Sequence, residues 1–280
     1  MSQNPGAEEW ASSRGEKWLA QMAGMEAMLA PVHEPLFEAL NLDQPLRMAE
    51  VGSGGGGTAI ALFHRAPSGS IVKGLDISPA LVDAARKRLT ARESGVSFDV
   101  ADMSTAKPDA PYDRLYSRFG VMFFEQPEVA FASLLHWLKP QGRLAFAVWG
   151  PPTENHWIWT VRNVVDEVVG VPAPNPDAPG PFRYGKADKL VSQLVQAGFS
   201  DVRVTPWNGE LPIGGGLPAE RAAEFALSAF STFGELLSQG GDTAKQRARE
   251  LLVERYTPHE KNGETRLAAH VNIFTAQRAS

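Results

Sequence analysis

"MAEVGSGGGGTAIAL" (residues 48–62) places five glycines within six positions, between a strand-like apolar run and a helix-compatible one. Glycine serves where main chain must take left-handed angles or let another molecule lie against it. The amide groups that open a helix then face that molecule. A turn needs one or two glycines, so five in six positions read as a ligand loop. In an open parallel sheet such a loop belongs at the carboxyl end of the first strand, where strand order reverses.

Outward from the loop, the pattern alternates. "SIVKGLD" (70–76), "VSFDVA" (96–101), "YDRLYS" (112–117) and "RLAFAVW" (143–149) read as strands, each mostly apolar as strands covered on both faces are. Between them, Ser78 and Pro79 suit the N-cap and first turn of a helix running to about Thr90. Phe131, Leu134, Leu135 and Leu138 share one face of a helix over 127–139, and "PQG" (140–142) turns the chain. Strands alternating with helices predict an α/β fold with a largely parallel sheet. Upstream, Trp18, Met22, Met25 and Leu29 line one face of a helix over 16–30, and "PLFEAL" gives a second, short one.

The second half is less regular. A helix follows "PPTEN", and "VPAPNPDAPGPF" (171–182) holds too many prolines for a regular element. A helix over 186–199 ends at Gly198, and "DVRVTPWNGELPI" is expected as a long strand that Pro206 breaks or bulges. Residues 218–256 read as a helical insertion before a closing strand, "AHVNIFTAQ" (269–277), antiparallel to the one before it. Three regions follow: an N-terminal helical lid (1–45), a ligand-binding core (46–150), and a completion of the sheet that carries the insertion (151–280).

Composition narrows the function. A net charge of −5, without long like-charge runs, argues against nucleic-acid binding through phosphate neutralisation. The chain has no cysteine, which excludes disulfides, thiolate metal sites and cysteine nucleophiles; no metal-ligand set is read. No apolar run reaches the length of a membrane span. The start, "MSQNPGAEEWASSRGEKW", is polar and acidic, unlike a secretory signal, so a cytoplasmic protein without membrane contact is expected.

Gly52, Gly54 and Gly57 also satisfy the dinucleotide pattern G-x-G-x-x-G, which is weak alone. Glu50, two residues before the first glycine, suits an ammonium and would repel a pyrophosphate. Asp76 closes the second strand, placed to accept from ribose hydroxyls, a feature shared by both ligands. Asp102 follows the third strand in "VADM", placed to accept from an adenine amino group. An NAD(P)-dependent oxidoreductase stays open as an alternative, although none of the four tyrosines begins a Tyr-x-x-x-Lys spacing. So does a non-catalytic cofactor-binding scaffold.

"AEVGSGGGG", "GLDIS", "VADM" and "LLHWLKPQGRLAF" resemble, in order, the motifs of class I S-adenosylmethionine-dependent methyltransferases, small-molecule branch, ubiquinone/menaquinone-biosynthesis type. The resemblance covers roughly Leu46 to Trp149. It implies a Rossmann-like seven-stranded sheet with the last strand antiparallel, and S-adenosyl-L-methionine as cofactor. It also implies that Glu50, Gly52, Ser53 and Gly54 cradle the methionine part, Asp76 and Ile77 hold the ribose, and Asp102 and Met103 bracket the adenine. Ser117 and Arg118 would offer backbone groups near the amino-acid end. Gln141 stands where the family usually has a second glycine.

Outside those motifs, "SRFGVMFF" (117–124) and "ENHWIW" (154–159) follow the fourth and fifth strands at the ligand end. His156 is the candidate general base on position. His33, Phe119, Met122 and Trp157 are candidate substrate contacts. The aromatic and methionine content of 119–124, 156–159 and 225–236 predicts a hydrophobic or aromatic small-molecule substrate, with O-methylation favoured over N- or C-methylation.

Overall fold

The computed structural model describes residues 9–280, so the first eight residues of the expected lid lie outside the described residues. After a π-helical turn over Trp10–Arg14 come two α-helices, α1 (Gly15–Leu29) and α2 (His33–Ala39). The alternation then runs β1 (Arg47–Val51), α3 (Gly57–Arg65), β2 (Ile71–Asp76), α4 (Pro79–Lys87), β3 (Val96–Val100), β4 (Tyr112–Arg118), α5 (Pro127–Trp137) and β5 (Leu138–Trp149). Ser78 caps α4 as expected, its hydroxyl accepting from the Leu81 amide, with Pro79 at the first helical position.

The second half contributes α6 (His156–Val169), α7 (Ala187–Gln196) and β6 (Phe199–Pro212), then α8 (Ala219–Ala229), α9 (Ser231–Gln239) and α10 (Gly241–Tyr256). A two-residue strand β7 (Glu260–Lys261) hairpins onto β8 (Glu264–Arg278).

The sheet order is β3-β2-β1-β4-β5-β8-β6, with β1 to β5 parallel and β8 antiparallel to both its neighbours. This is the α/β Rossmann-like arrangement, with its last strand reversed. Successive strands move outward from β1 in one direction and from β4 in the other, so the crevice between them is where a ligand belongs. The central strands carry wholly buried apolar runs, such as Leu144 to Val148 in β5, because helices cover both faces. No helix among the described residues is long and apolar enough to cross a membrane.

Two expectations change. Pro206 neither breaks nor bulges β6: it sits opposite Asn272 in an unbroken register, and the irregularity lies at Ser200/Arg203. The strand is the last of its sheet, where a missing N–H need not interrupt a ladder. The "PQG" turn is absorbed into β5 as a distortion, with Gln141 at φ +62° and a register shift opposite Tyr112/Arg114.

Candidate active site

The glycine loop crosses from β1 to α3 over the end of β2. The Gly52 and Ser53 amides both donate to the Leu75 carbonyl (2.9 and 3.0 Å), and the Gly54 amide donates to Asp76 Oδ2 at 2.7 Å. The other Asp76 oxygen accepts from the Ser78 amide at 2.9 Å, so one carboxylate fastens the loop to the β2–α4 turn. Burial raises the Asp76 pKa, while the Ser78 and Gly54 amides favour its charged form. Gly54 has φ +52° and faces open space: a β-carbon there would meet nothing nearer than Trp18 Nε1 at 3.7 Å. Gly56, at φ +82°, is tight instead, with Phe98 Cζ 2.5 Å from the same construction.

Below the loop, Glu50 is buried and accepts from the Tyr116 hydroxyl at 3.4 Å. Burial pushes its carboxyl up to about 8, against the pull of the Arg118 charge. Arg118 ends β4, and its guanidinium donates to His33 Nε2 at 3.0 Å. Desolvation, then the Arg118 charge, push His33 down to about 3. The ring is therefore neutral, with its proton on Nδ1, and it stacks on Phe37 at 5.3 Å. Asp102 accepts from the Ser104 amide and hydroxyl (2.9 and 2.6 Å).

These groups line one end of a cavity of about 700 Å³, within the range of small-molecule sites. Trp18 and Glu26 of α1, and Trp10 before it, lie along the same end. The opposite end is aromatic. Phe119 stacks flat on Trp149 at 4.0 Å, Trp149 meets Trp157 at 4.6 Å, and Trp157 meets Phe230 edge-on at 5.2 Å. Asn155 fixes this wall, accepting from Trp157 Nε1 at 3.1 Å and from the His270 amide. Phe119 holds φ +66°, an angle that costs a non-glycine residue roughly 1–2 kcal/mol.

Most sequence-predicted residues come together here. Glu50, Gly52, Ser53, Gly54, Asp76, Ile77, Asp102, Met103 and Arg118 line the first end; Phe119, Met122 and Trp157 line the second. Three do not line the cavity. Ser117 is fully buried behind the loop, donating to the Val51 carbonyl at 2.7 Å and accepting from the Gly120 amide, so it joins β4 to β1. His33 lies behind Arg118 as its acceptor. His156 is exposed at the start of α6, because the helical turn that buries Trp157 carries its predecessor outward. Trp149, Phe182 and Arg162 were not anticipated, and each belongs to an element whose own role hid it: a core strand, a proline-rich loop, a helix surface.

A family model described as a methyltransferase domain matches residues 49–146, the stretch that builds β1 to β5 and the glycine loop. The chain is 29% identical to the demethylmenaquinone methyltransferase of Thermus thermophilus, over 70% of this chain and 79% of that one. The chain carries a methyltransferase domain. The chain is also 31% identical to the phosphoethanolamine N-methyltransferase of Triticum aestivum, over 42% of this chain and only 24% of that longer one. Among solved structures, its fold matches the Haemonchus contortus phosphoethanolamine N-methyltransferase 2 in complex with S-adenosyl-L-methionine, with a TM-score of 0.58 and 15% identity, over 100% of this chain and 60% of that one. It also matches the Bacillus subtilis YcgJ protein, with a TM-score of 0.57 and 13% identity, over 90% and 99% of the two chains.

Proposed function

We propose that the glycine-loop end of the cavity holds S-adenosylmethionine, and that the aromatic end holds a small hydrophobic or aromatic acceptor methylated at oxygen. The observation behind this assignment is the division of one cavity into a main-chain and carboxylate end and an aromatic end. The donor set of the first end fits the cofactor. Among the described residues the Ser53 hydroxyl is buried without a partner in a residue that lines the cavity, and Gly54 leaves a cradle that a side chain would fill. Glu50 and Arg118 face the amino-acid end, where a ligand ammonium would favour the ionised form of Glu50, Asp76 and Ile77 serve the ribose, and Asp102 with Met103 serves the adenine. Bound there, S-adenosylmethionine would supply an electrophilic methyl group, which passes to the acceptor oxygen as its bond to sulfur breaks, leaving S-adenosylhomocysteine and the acceptor's proton released to water.

The chain's own task is to hold the acceptor in line and keep water out. The stacked pair Phe119 and Trp149, with Trp157 tilted beside it, gives an apolar aromatic bed, and the segment over residues 9–45 acts as a lid on the cofactor end. None of the aromatic-wall residues is a proton acceptor at neutral pH, which suits an oxygen acidic enough to react without a dedicated base, such as a phenol. Residues 46–150 thus serve the cofactor and lend Phe119 and Trp149 to the acceptor end, which residues 151–280 complete. The test is incubation with S-adenosylmethionine and a panel of simple phenols, anilines and aliphatic amines, with products identified by mass spectrometry. Transfer to phenolic oxygen is expected. Transfer confined to nitrogen or carbon would overturn the oxygen assignment.

A further inference from the structure

We propose that the acceptor carries an anionic group, a carboxylate or a phosphate, on its aromatic body, and that Arg162 receives it. This rests on the assignment of the aromatic end of the cavity to the acceptor. Among the described residues, four cationic side chains line the cavity: Arg14, Lys17, Arg118 and Arg162. Three are engaged with neighbours. Arg118 donates to His33, Lys17 pairs with Glu235, and Arg14 contacts Glu9 and the Thr232 hydroxyl.

Arg162 is held differently. Its paired carboxylate oxygen, Asp166 Oδ2, stands at 3.8 Å, beyond hydrogen-bond reach. The other Asp166 oxygen is taken by the Val171 amide at 2.7 Å, which ties that side chain to the loop. Among the described residues the Arg162 guanidinium makes no hydrogen bond. It lies 5.3 Å over the Trp159 ring, and its side chain is 23% exposed. A stacked, shielded guanidinium with its fork unfilled is a receptor for a planar or tetrahedral anion, bound by two parallel N–H bonds.

Its place in the helix fits that role. Trp157, Ile158, Trp159 and Arg162 all line the cavity. The rise of α6 puts the arginine about 7.5 Å along the axis from Trp157. Trp159, which Arg162 covers from one turn on, carries the same wall from Trp157 toward the guanidinium, so an aromatic body bedded on this wall presents a group at its far end to Arg162 while the reacting oxygen faces the glycine loop.

The test is calorimetry on the methyltransferase saturated with S-adenosylhomocysteine, using 2-naphthoate, 2-naphthyl phosphate and the neutral 2-naphthylmethanol. At least one anion is expected to bind tenfold or more tighter than the alcohol, and the stronger of the two identifies the group. In Arg162→Met that preference should vanish, with alcohol binding within twofold of wild type. Arg162→Lys should keep part of it. S-adenosylhomocysteine affinity, unchanged in both variants, reports an intact fold. Equal binding of anions and alcohol by wild type, or a preference surviving in both variants, overturns the proposal. If no probe binds while S-adenosylhomocysteine does, the aromatic acceptor site itself is wrong, and the proposal falls with it.

Discussion

The two ends of the cavity are made of different material. At the glycine-loop end the chain offers amides, carboxylates and bare backbone, all within the first strand–helix units. At the other end it offers side chains from the segment after β4, from β5, α6, the 171–182 loop and the junction of α8 with α9, brought together only by the fold. Main-chain sites depend on dihedral angles and spacing, so they tolerate little change but leave a sequence signature. Side-chain sites depend on long-range packing and leave hardly any.

The largest effect expected from this contrast is at Gly54. Gly54→Val forces a branched side chain into φ +52° and into the cradle under Trp18. S-adenosylhomocysteine affinity should fall more than 100-fold by calorimetry, while far-UV circular dichroism stays native. Binding within tenfold of wild type would break the comparison.

Next comes Glu50. Its carboxyl ionises near 4.5 when unfolded and about 8 in the fold, so the folded state holds the extra proton between those values. Its contribution to stability therefore falls as pH rises through that window. Melting temperatures of wild type should decline from pH 5 to 8 more steeply than those of Glu50→Gln. Across the same range, S-adenosylhomocysteine should bind wild type more tightly as pH rises, because the ligand ammonium pairs with the ionised acid. A parallel pair of stability curves would remove Glu50 from that role.

On the aromatic side the effect is smaller and of another kind. Phe119→Ala loses the stack on Trp149, about 3 kcal/mol by analogy with buried phenylalanines. Phe119→Gly loses the same stack but relieves the left-handed backbone. Chemical denaturation should rank the glycine variant above the alanine variant in stability. In both, KM for an aromatic acceptor should rise while S-adenosylhomocysteine affinity stays within threefold.

The smallest effect is at His156. Exposed and off the cavity, its replacement by alanine should leave turnover within twofold in a steady-state assay. A tenfold loss would return it to the mechanism.

The same contrast explains what the sequence made legible. Gly54, Asp76 and Asp102 could be placed because each stands at or just past the end of a strand, and parallel strands end at one side of the sheet. The helical rotation that turns His156 away from Trp157 was also available in principle, but position after β5 outweighed it. Pro206 looked disruptive because nothing local reveals that β6 lies at the sheet's edge. The Asn262–Gly263 turn that joins β7 to β8, with both residues at positive φ, carried a hairpin signature that went unread. Trp149 and Arg162 had no local mark, since a core strand and an amphipathic helix require such residues without any ligand.

The most direct test of the glycine-loop assignment is thermal unfolding with saturating S-adenosylhomocysteine or NADH. A ligand at a hundredfold its Kd adds about 2.7 kcal/mol to the folded state, a rise of about 5 °C or more. S-adenosylhomocysteine should produce that rise in wild type and not in Gly54→Val, with NADH inert in both. A rise with NADH alone, or an equal rise with S-adenosylhomocysteine in the two proteins, would contradict the placement of the cofactor on this loop.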